Sequence, residues 1–230
     1  DREMKTSILT ILAYFIMCSV SYASDVYITQ SGASLTANIN QDGQTNRFGV
    51  SGTVVTLTGD SQVLDIDQIG NTNTIAASLI GAIQEFTLRQ AGSSNTSTVS
   101  VGSNSASGDN SIIETITGSS NTTTVNVGNS ASTDDADIDL TATGDSNTIT
   151  INENSTASMV GSDKKITSIT AIGSSNTITS THTGAADQDT TLHHTGASST
   201  FAITQGGAYD GTTSITTVGS GHNVTVTMDD

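Results

Sequence analysis

The sequence predicts an all-β chain, a two-sheet β-solenoid of about eight stacked strand–arc–strand coils. Three observations lead there. Glycine recurs at a fixed interval, often with Gln two residues before it and Asn three after. Apolar and polar residues alternate around each such unit, and Thr, Val and Ile dominate the alternating stretches. A fixed internal period means one supersecondary unit, copied and stacked. Period two marks strands with one buried face, whereas a helix would space its apolar residues near 3.6. Branching at Cβ favours the strand further.

Taken in order, residues 1–23 read as export machinery. Asp1 to Glu3 precede Met4 and look like a reading-frame remnant. Met4-Lys5-Thr6, the apolar run Ile8 to Val20 and the small residues Ser21 and Ala23 form a secretory signal peptide, cut before Ser24. The run is short for a membrane span. Met17 before Cys18 suits a lipoprotein signal poorly. Residues 24–230 then form a single repeat domain without a membrane span.

Within that domain Gly32 and Gly43 lie 11 residues apart, as do Gly59, Gly70, Gly81 and Gly92. Two such steps make a 22-residue coil. Later turn glycines, Gly118, Gly144, Gly173, Gly196 and Gly219, follow at intervals of 26, 26, 29, 23 and 23. These are the same coils with one to seven extra residues in one of the two arcs. The additions read as loops over 102–109, 128–135 and 152–165, rich in Ser, Asn, Asp and Gly. Gly suits the arc because a sharp reversal requires positive φ. At about 4.8 Å per coil the rod is on the order of 40 Å long.

Amides fall in phase with the apolar positions and therefore point inward. Gln30, Gln41, Gln62, Gln68, Gln84 and Gln90 do so, as do Asn46, Asn73, Asn95, Asn121, Asn147 and Asn176. A lone buried amide is costly, but a repeated one can bond to its copy above and below. The Gln ladder gives way to Ile116, Ala142, Ala171 and His194, while the Asn ladder lasts to Asn176.

These residues resemble the curlin repeat, Q-x-G-x-x-N-x-A-x-V-x-Q-x-G-x-x-N. The stretch Gln30-x-Gly32-x-x-Leu35-x-Ala37-x-Ile39-x-Gln41-x-Gly43-x-x-Asn46 follows it, with Leu35 in place of Asn. A second copy runs from Gly59 through Gln62, Leu64, Ile66, Gln68 and Gly70 to Asn73. The resemblance is strong to about residue 101 and looser beyond. It implies the secreted subunit of a curli-type extracellular amyloid fibre, with a nucleator subunit and an outer-membrane secretion pore as partners.

Composition excludes several other classes. Beyond residue 23 there is no Cys, Trp or Pro, so stability rests on the β-stack, whose ladder Pro would interrupt. Sustained period-two patterning argues against disorder despite the polar composition. Arg47, Arg89, Lys164 and Lys165 face twenty acidic residues there, and the formal charge is −16. Such a chain cannot make the phosphate contacts of nucleic-acid binding. The charge serves solubility and delays self-association. Asp134, Asp135, Asp187 and Asp189 cluster in arcs and could hold divalent cations only weakly, and the calcium-binding nonapeptide repeat is absent.

Nothing spells out an enzyme, a cofactor site or a metal site. His182, His193, His194 and His222 have no metal-ligand spacing, and His182 and His194 occupy inward polar phases. The sequons at Asn95 and Asn121 are background in so Asn-rich a chain. Outward Thr-x-Thr pairs at 96/98, 122/124, 148/150 and 177/179 suggest an alternative, an ice-binding or surface-adhesin array. Thr at outward positions 87, 115, 141, 170 and 216 of the other strand favours plain strand propensity instead. The expected partner is a second copy of the chain. Val26 and Ile28 begin the first coil and Val224, Val226 and Met228 end the last, so both edges stand open to end-to-end addition.

Overall fold

The computed structural model describes residues 24–50, 52–81, 84–102, 110–128, 136–154, 164–184, 187–207 and 211–229. The expected signal peptide and most of the expected loops at 102–109 and 128–135 lie outside them. The first strands are β1 (Ser24–Val26), β2 (Thr29–Ser31), β3 (Leu35–Asp42), β4 (Asn46–Phe48) and β5 (Val55–Thr58). Next come β6 (Gln62–Ile69), β7 (Thr74–Ile80), β8 (Gln84–Ala91), β9 (Thr96–Val101) and β10 (Asn110–Thr117). Then follow β11 (Thr122–Val127), β12 (Ala136–Thr143), β13 (Thr148–Asn154), β14 (Lys164–Ile172) and β15 (Thr177–Thr183). The last are β16 (Asp187–Thr195), β17 (Thr200–Gly206), β18 (Gly211–Val218) and β19 (Asn223–Asp229).

They build two parallel sheets stacked as a β-solenoid. The first sheet runs β1-β4-β7-β9-β11-β13-β15-β17-β19, with β2 and β5 completing its first two rungs, so its eleven strands occupy nine rungs. The second runs β3-β6-β8-β10-β12-β14-β16-β18, eight rungs. Parallel pairing is what coiling in one sense demands, since each strand meets the strand one coil earlier. Inward side chains from both sheets meet in one thin core, which includes Leu57, Leu64, Ile66, Leu79, Phe86 and Val99, all essentially without solvent exposure. No helix among the described residues is long and apolar enough to cross a membrane.

Two details differ from the sequence reading. The loop expected over 152–165 is shorter, because β13 continues through Asn154 and β14 begins at Lys164. Asn152 stays in the strand by donating from Nδ2 to Asn126 Oδ1 on the rung before, at 3.0 Å. A residue that usually favours turns is held extended by its neighbour of the same type. Second, the first sheet's second rung is broken. An excursion from Gly49 to Val54 separates β4 from β5, closed by an antiparallel bridge between Val50 and Thr53.

Candidate functional site

The inward amides separate into distinct columns. Gln41, Gln68 and Gln90 share one register in the second sheet. Gln68 Nε2 donates to Gln41 Oε1 at 2.7 Å, and Gln90 Nε2 to Gln68 Oε1 at 2.9 Å. The next rung offers Ile116, and Gln90 Oε1 is buried with no partner among the described residues. Gln62 and Gln84 stand at the other end of the same strands, in register with Asn110. Their Nε2 atoms reach across to Gly32 O (3.2 Å) and Gly59 O (3.1 Å) in the preceding coil. Gln30 belongs to neither column. It lies in the first sheet beside Leu57, and its Nε2 donates to its own Gly32 O at 3.3 Å. The 11-residue step is half a coil, so it moves a Gln-x-Gly unit to the opposite sheet.

The asparagines form the longest column. Each sits at the end of a four-residue arc that begins with Gly, and each donates from Nδ2 to that glycine's carbonyl: Asn95 to Gly92 at 2.9 Å, Asn121 to Gly118 and Asn147 to Gly144 at 2.6 Å. The side-chain oxygen meanwhile accepts from the backbone N–H of the Asn one coil earlier. Asn95 N donates to Asn121 Oδ1 (2.9 Å), Asn121 N to Asn147 Oδ1 (3.0 Å) and Asn147 N to Asn176 Oδ1 (2.9 Å). Asn46 and Asn73 begin this column, linked Nδ2 to Oδ1 at 3.1 Å. Ser199 extends it with Oγ, and His222 stands one rung further. One side chain therefore closes its own arc and fixes the register of the next coil.

The turn glycines set coil spacing sterically. An added Cβ at Gly92 would lie 1.5 Å from Gly70 O, at Gly118 1.7 Å from Gly92 O, and at Gly219 1.5 Å from Gly196 O. Gly59, Gly70, Gly81, Gly144, Gly173 and Gly196 meet the preceding glycine's carbonyl in the same way, Gly70 against Gly43 and Gly59 against Gly32.

The interior also holds ionisable side chains; the sequence reading placed His182 and His194 in inward phases but missed Glu153 and Glu114. Glu153, one rung after Val127 in the first sheet, is fully buried, and His182 follows it in register. His182 Nδ1 lies 2.5 Å from Glu153 Oε2, and its Nε2 lies 2.7 Å from Ser180 Oγ and 3.0 Å from Thr190 Oγ1. Thr167 Oγ1 donates to Glu153 Oε1 at 2.9 Å. Thr167 and Thr190 face this column from the second sheet, where earlier rungs carry Phe86, Ile112 and Ile138. Both sheets thus change from apolar to polar at the same coil, as buried polar groups that need hydrogen-bond partners require. The Ser–His–Glu contacts are sealed from solvent, so they fix packing and offer a substrate no access. A signal was present in the alternation of Ile151, Glu153 and Thr167, Ile169, but reading it across the residues 155–163 required the register.

Glu114 stands alone. Its rung neighbours are Leu88 and Leu140, and among the described residues its bonded neighbour is Ser97, whose Oγ donates to Oε1 at 3.3 Å. Burial pushes its carboxyl up to about 8, opposed in part by the Ser97 hydrogen bond. It is therefore mainly neutral at pH 7. Near the C-terminal end His194, Phe201 and His222 form a ring cluster, with centroids 4.9–5.8 Å apart. Desolvation lowers the His194 pKa, with a further push from His222, while a backbone bond to Gly173 opposes them. No group of three or more His, Cys, Asp or Glu able to hold a metal ion occurs among the described residues.

The two outer faces differ. On the first sheet Thr96, Thr122, Thr148, Thr177 and Thr200 form one column, and Thr98, Thr124, Thr150 and Thr179 a second. From β9 to β17 the outward residues of this face carry no formal charge. The second sheet's face holds Asp65, Asp67, Glu85, Asp137, Asp139 and Asp189. Asp67 is bridged to Arg89 on the next rung at 2.7 Å. Among the described residues both rod ends expose strand edges. Val224, Val226 and Met228 on β19 are 45%, 43% and 53% exposed, and Val26 and Ile28 are half-buried. No family model, curated protein or solved structure matches the chain.

Proposed function

We propose that the chain is a secreted, non-enzymatic structural subunit that polymerises end to end into an extracellular, curli-like amyloid fibre. The observation that carries this reading is the pair of open edges. An unpaired strand offers a row of backbone donors and acceptors and recruits a partner unless it is blocked. Here β19 presents such a row beside the exposed Val224, Val226 and Met228. At the other end β1, β2 and β3 present a second row beside Val26, Ile28, Leu35 and Ile39. Joining the ends of two copies covers apolar surface at about 25 cal/mol per Å² and extends hydrogen-bonded sheets. The curlin-like repeat supports the same reading, with its implied nucleator and secretion pore as partners. Export by the signal peptide would place assembly outside the cell.

One observation favours a second reading, ice or surface binding. The uncharged face of in-register Thr columns lies opposite an acidic face, an asymmetry that strand propensity alone does not require. Electron microscopy of purified protein combined with an ice-recrystallisation assay separates the two. Fibres without ice activity support the first reading. Ice activity from a monomer overturns it and establishes the second.

A further inference from the structure

Among the described residues the first sheet has nine rungs and the second has eight. This difference restricts how two copies can join. Stacking β1 and β2 of one copy on β19 of another would give nine first-sheet rungs per subunit, about 43 Å at 4.8 Å spacing. The second sheet would supply only eight, about 38 Å. Every joint would then contain a strand-wide hole in the second sheet, with unpaired backbone groups on both sides and an uncovered core beneath.

The structure offers a way to remove the mismatch. The register β1–β4–β7 and β2–β5–β7, continued to β19, places Val224 in the column of Val26, Val226 in that of Ile28 and Met228 in that of Gln30. The last strand thus carries the same inward pattern as the first rung. It is also the better strand. β19 pairs along seven consecutive residues with β17, whereas β1 and β2 are three-residue pieces laid over the interrupted pair β4 and β5. Gln30 is poorly accommodated beside Leu57, because its Oε1 is buried without a partner among the described residues.

We infer that β1–β2 is a displaceable plug, and that in the assembled state β19 of one copy takes its place against β4 and β5 of the next. This rests on the assembly reading above. With the plug released, β3 of one copy stacks directly on β18 of the other, and each subunit contributes eight rungs to both sheets. Met228 replaces Gln30 over Leu57, exchanging an unsatisfied amide for an apolar side chain. Among the described residues the ion pair given up is Asp25 with Arg47, 3.9 Å apart and exposed, which contributes little. In the free subunit the plug covers the edge it later yields, so it also slows premature joining.

Cross-linking between outward threonines distinguishes the arrangements, since adjacent parallel strands bring Cα atoms within disulfide range. In the displaced joint Thr227 lies beside Thr56 of the next copy. In a simple stack it lies beside Thr29 of the next copy. In a Cys18→Ser background, which leaves no other thiol, the pair Thr56→Cys with Thr227→Cys and the pair Thr29→Cys with Thr227→Cys are assembled and mildly oxidised. A covalent ladder on non-reducing gels from the first pair, at least tenfold above that from the second, is expected. Fibres cross-linked through the second pair, or through neither, overturn strand displacement but leave end-to-end assembly standing. If the parent and both variants remain monomeric, the assembly reading itself fails, and this proposal with it.

Discussion

The two arcs of each coil obey different rules. From the second sheet back to the first the chain always turns in four residues, at 43–46, 70–73, 92–95, 118–121, 144–147, 173–176, 196–199 and 219–222. From the first sheet to the second it turns tightly at 32–35 and 59–62, and the sequence between the strands then grows from three residues at 81–83 to eight at 102–109 and 128–135 and nine at 155–163. The cause lies in what spans each arc. In the constant arc one Asn bonds its own Gly carbonyl and also accepts from the previous coil, so an added residue would break both contacts. In the variable arc Gln62 and Gln84 reach the glycine of the preceding coil only while the arc is short. After the lengthened stretches the register places Asn110, Ala136 and Lys165 at that position. Gln188 returns as the arc shortens, and its Nε2 reaches Gly184 O and Gly206 O at 3.4 Å. Length is constrained where a side chain depends on it.

The largest test of this contrast replaces glycine. Gly92→Ala in the constant arc places Cβ against the backbone of Gly70 and Asn71 in the preceding coil, at φ near +143°. Loss of more than about 5 kcal/mol, or no folded product, is expected by urea denaturation. Gly52→Ala sits at φ +91° in the excursion with open space around it and should cost only about 1 kcal/mol. Equal costs would remove the steric account of coil spacing.

Glu114 lies between the arcs and tests the core that both enclose. Its folded pKa of about 8 exceeds the ordinary value of 4.5, so the fold binds its proton more tightly than the unfolded chain does. The corresponding stability is complete below about pH 4.5 and is lost as pH rises towards 8, up to about 5 kcal/mol in all. Glu114→Gln should flatten this part of the stability profile. An unchanged profile would mean that the carboxyl reaches water.

A smaller effect compares the two amides. Asn121→Ala strips a partner from Gly118 O and from Asn95 N, and should cost about 2–3 kcal/mol. Gln84→Ala strips a partner from Gly59 O and should cost about 1 kcal/mol. The reverse order would place the register lock in the wrong arc. The smallest expected effect is an insertion. Three residues added between Ala131 and Ser132 should cost less than about 0.6 kcal/mol, as loop closure scales slowly with length. The same insertion between Ser119 and Ser120 should be severely destabilising.

Much of this was readable from sequence, because a period is a property of the chain itself. Gly92-x-x-Asn95 and its copies announce the constant arc, and alternation through Phe86, Leu88 and Gln90 announces the strand and its inward face. What was not readable depends on register between coils of unequal length. Gln30 and Gln41 share a motif but stand in opposite sheets, one beside the 32–35 arc and the other beside the 43–46 arc. Glu153, His182 and Thr190 become neighbours only once coils of 29 and 23 residues are aligned. The Gly49–Val54 excursion lay unseen inside a Gly43-to-Gly59 interval that fits no multiple of eleven.

End-to-end growth of this solenoid is tested most directly by X-ray diffraction from aligned, purified protein at high concentration. Strands perpendicular to the rod should give a sharp meridional reflection near 4.8 Å from fibres that lengthen with time. Protein that stays monomeric, or fibres whose 4.8 Å reflection lies on the equator, would contradict it.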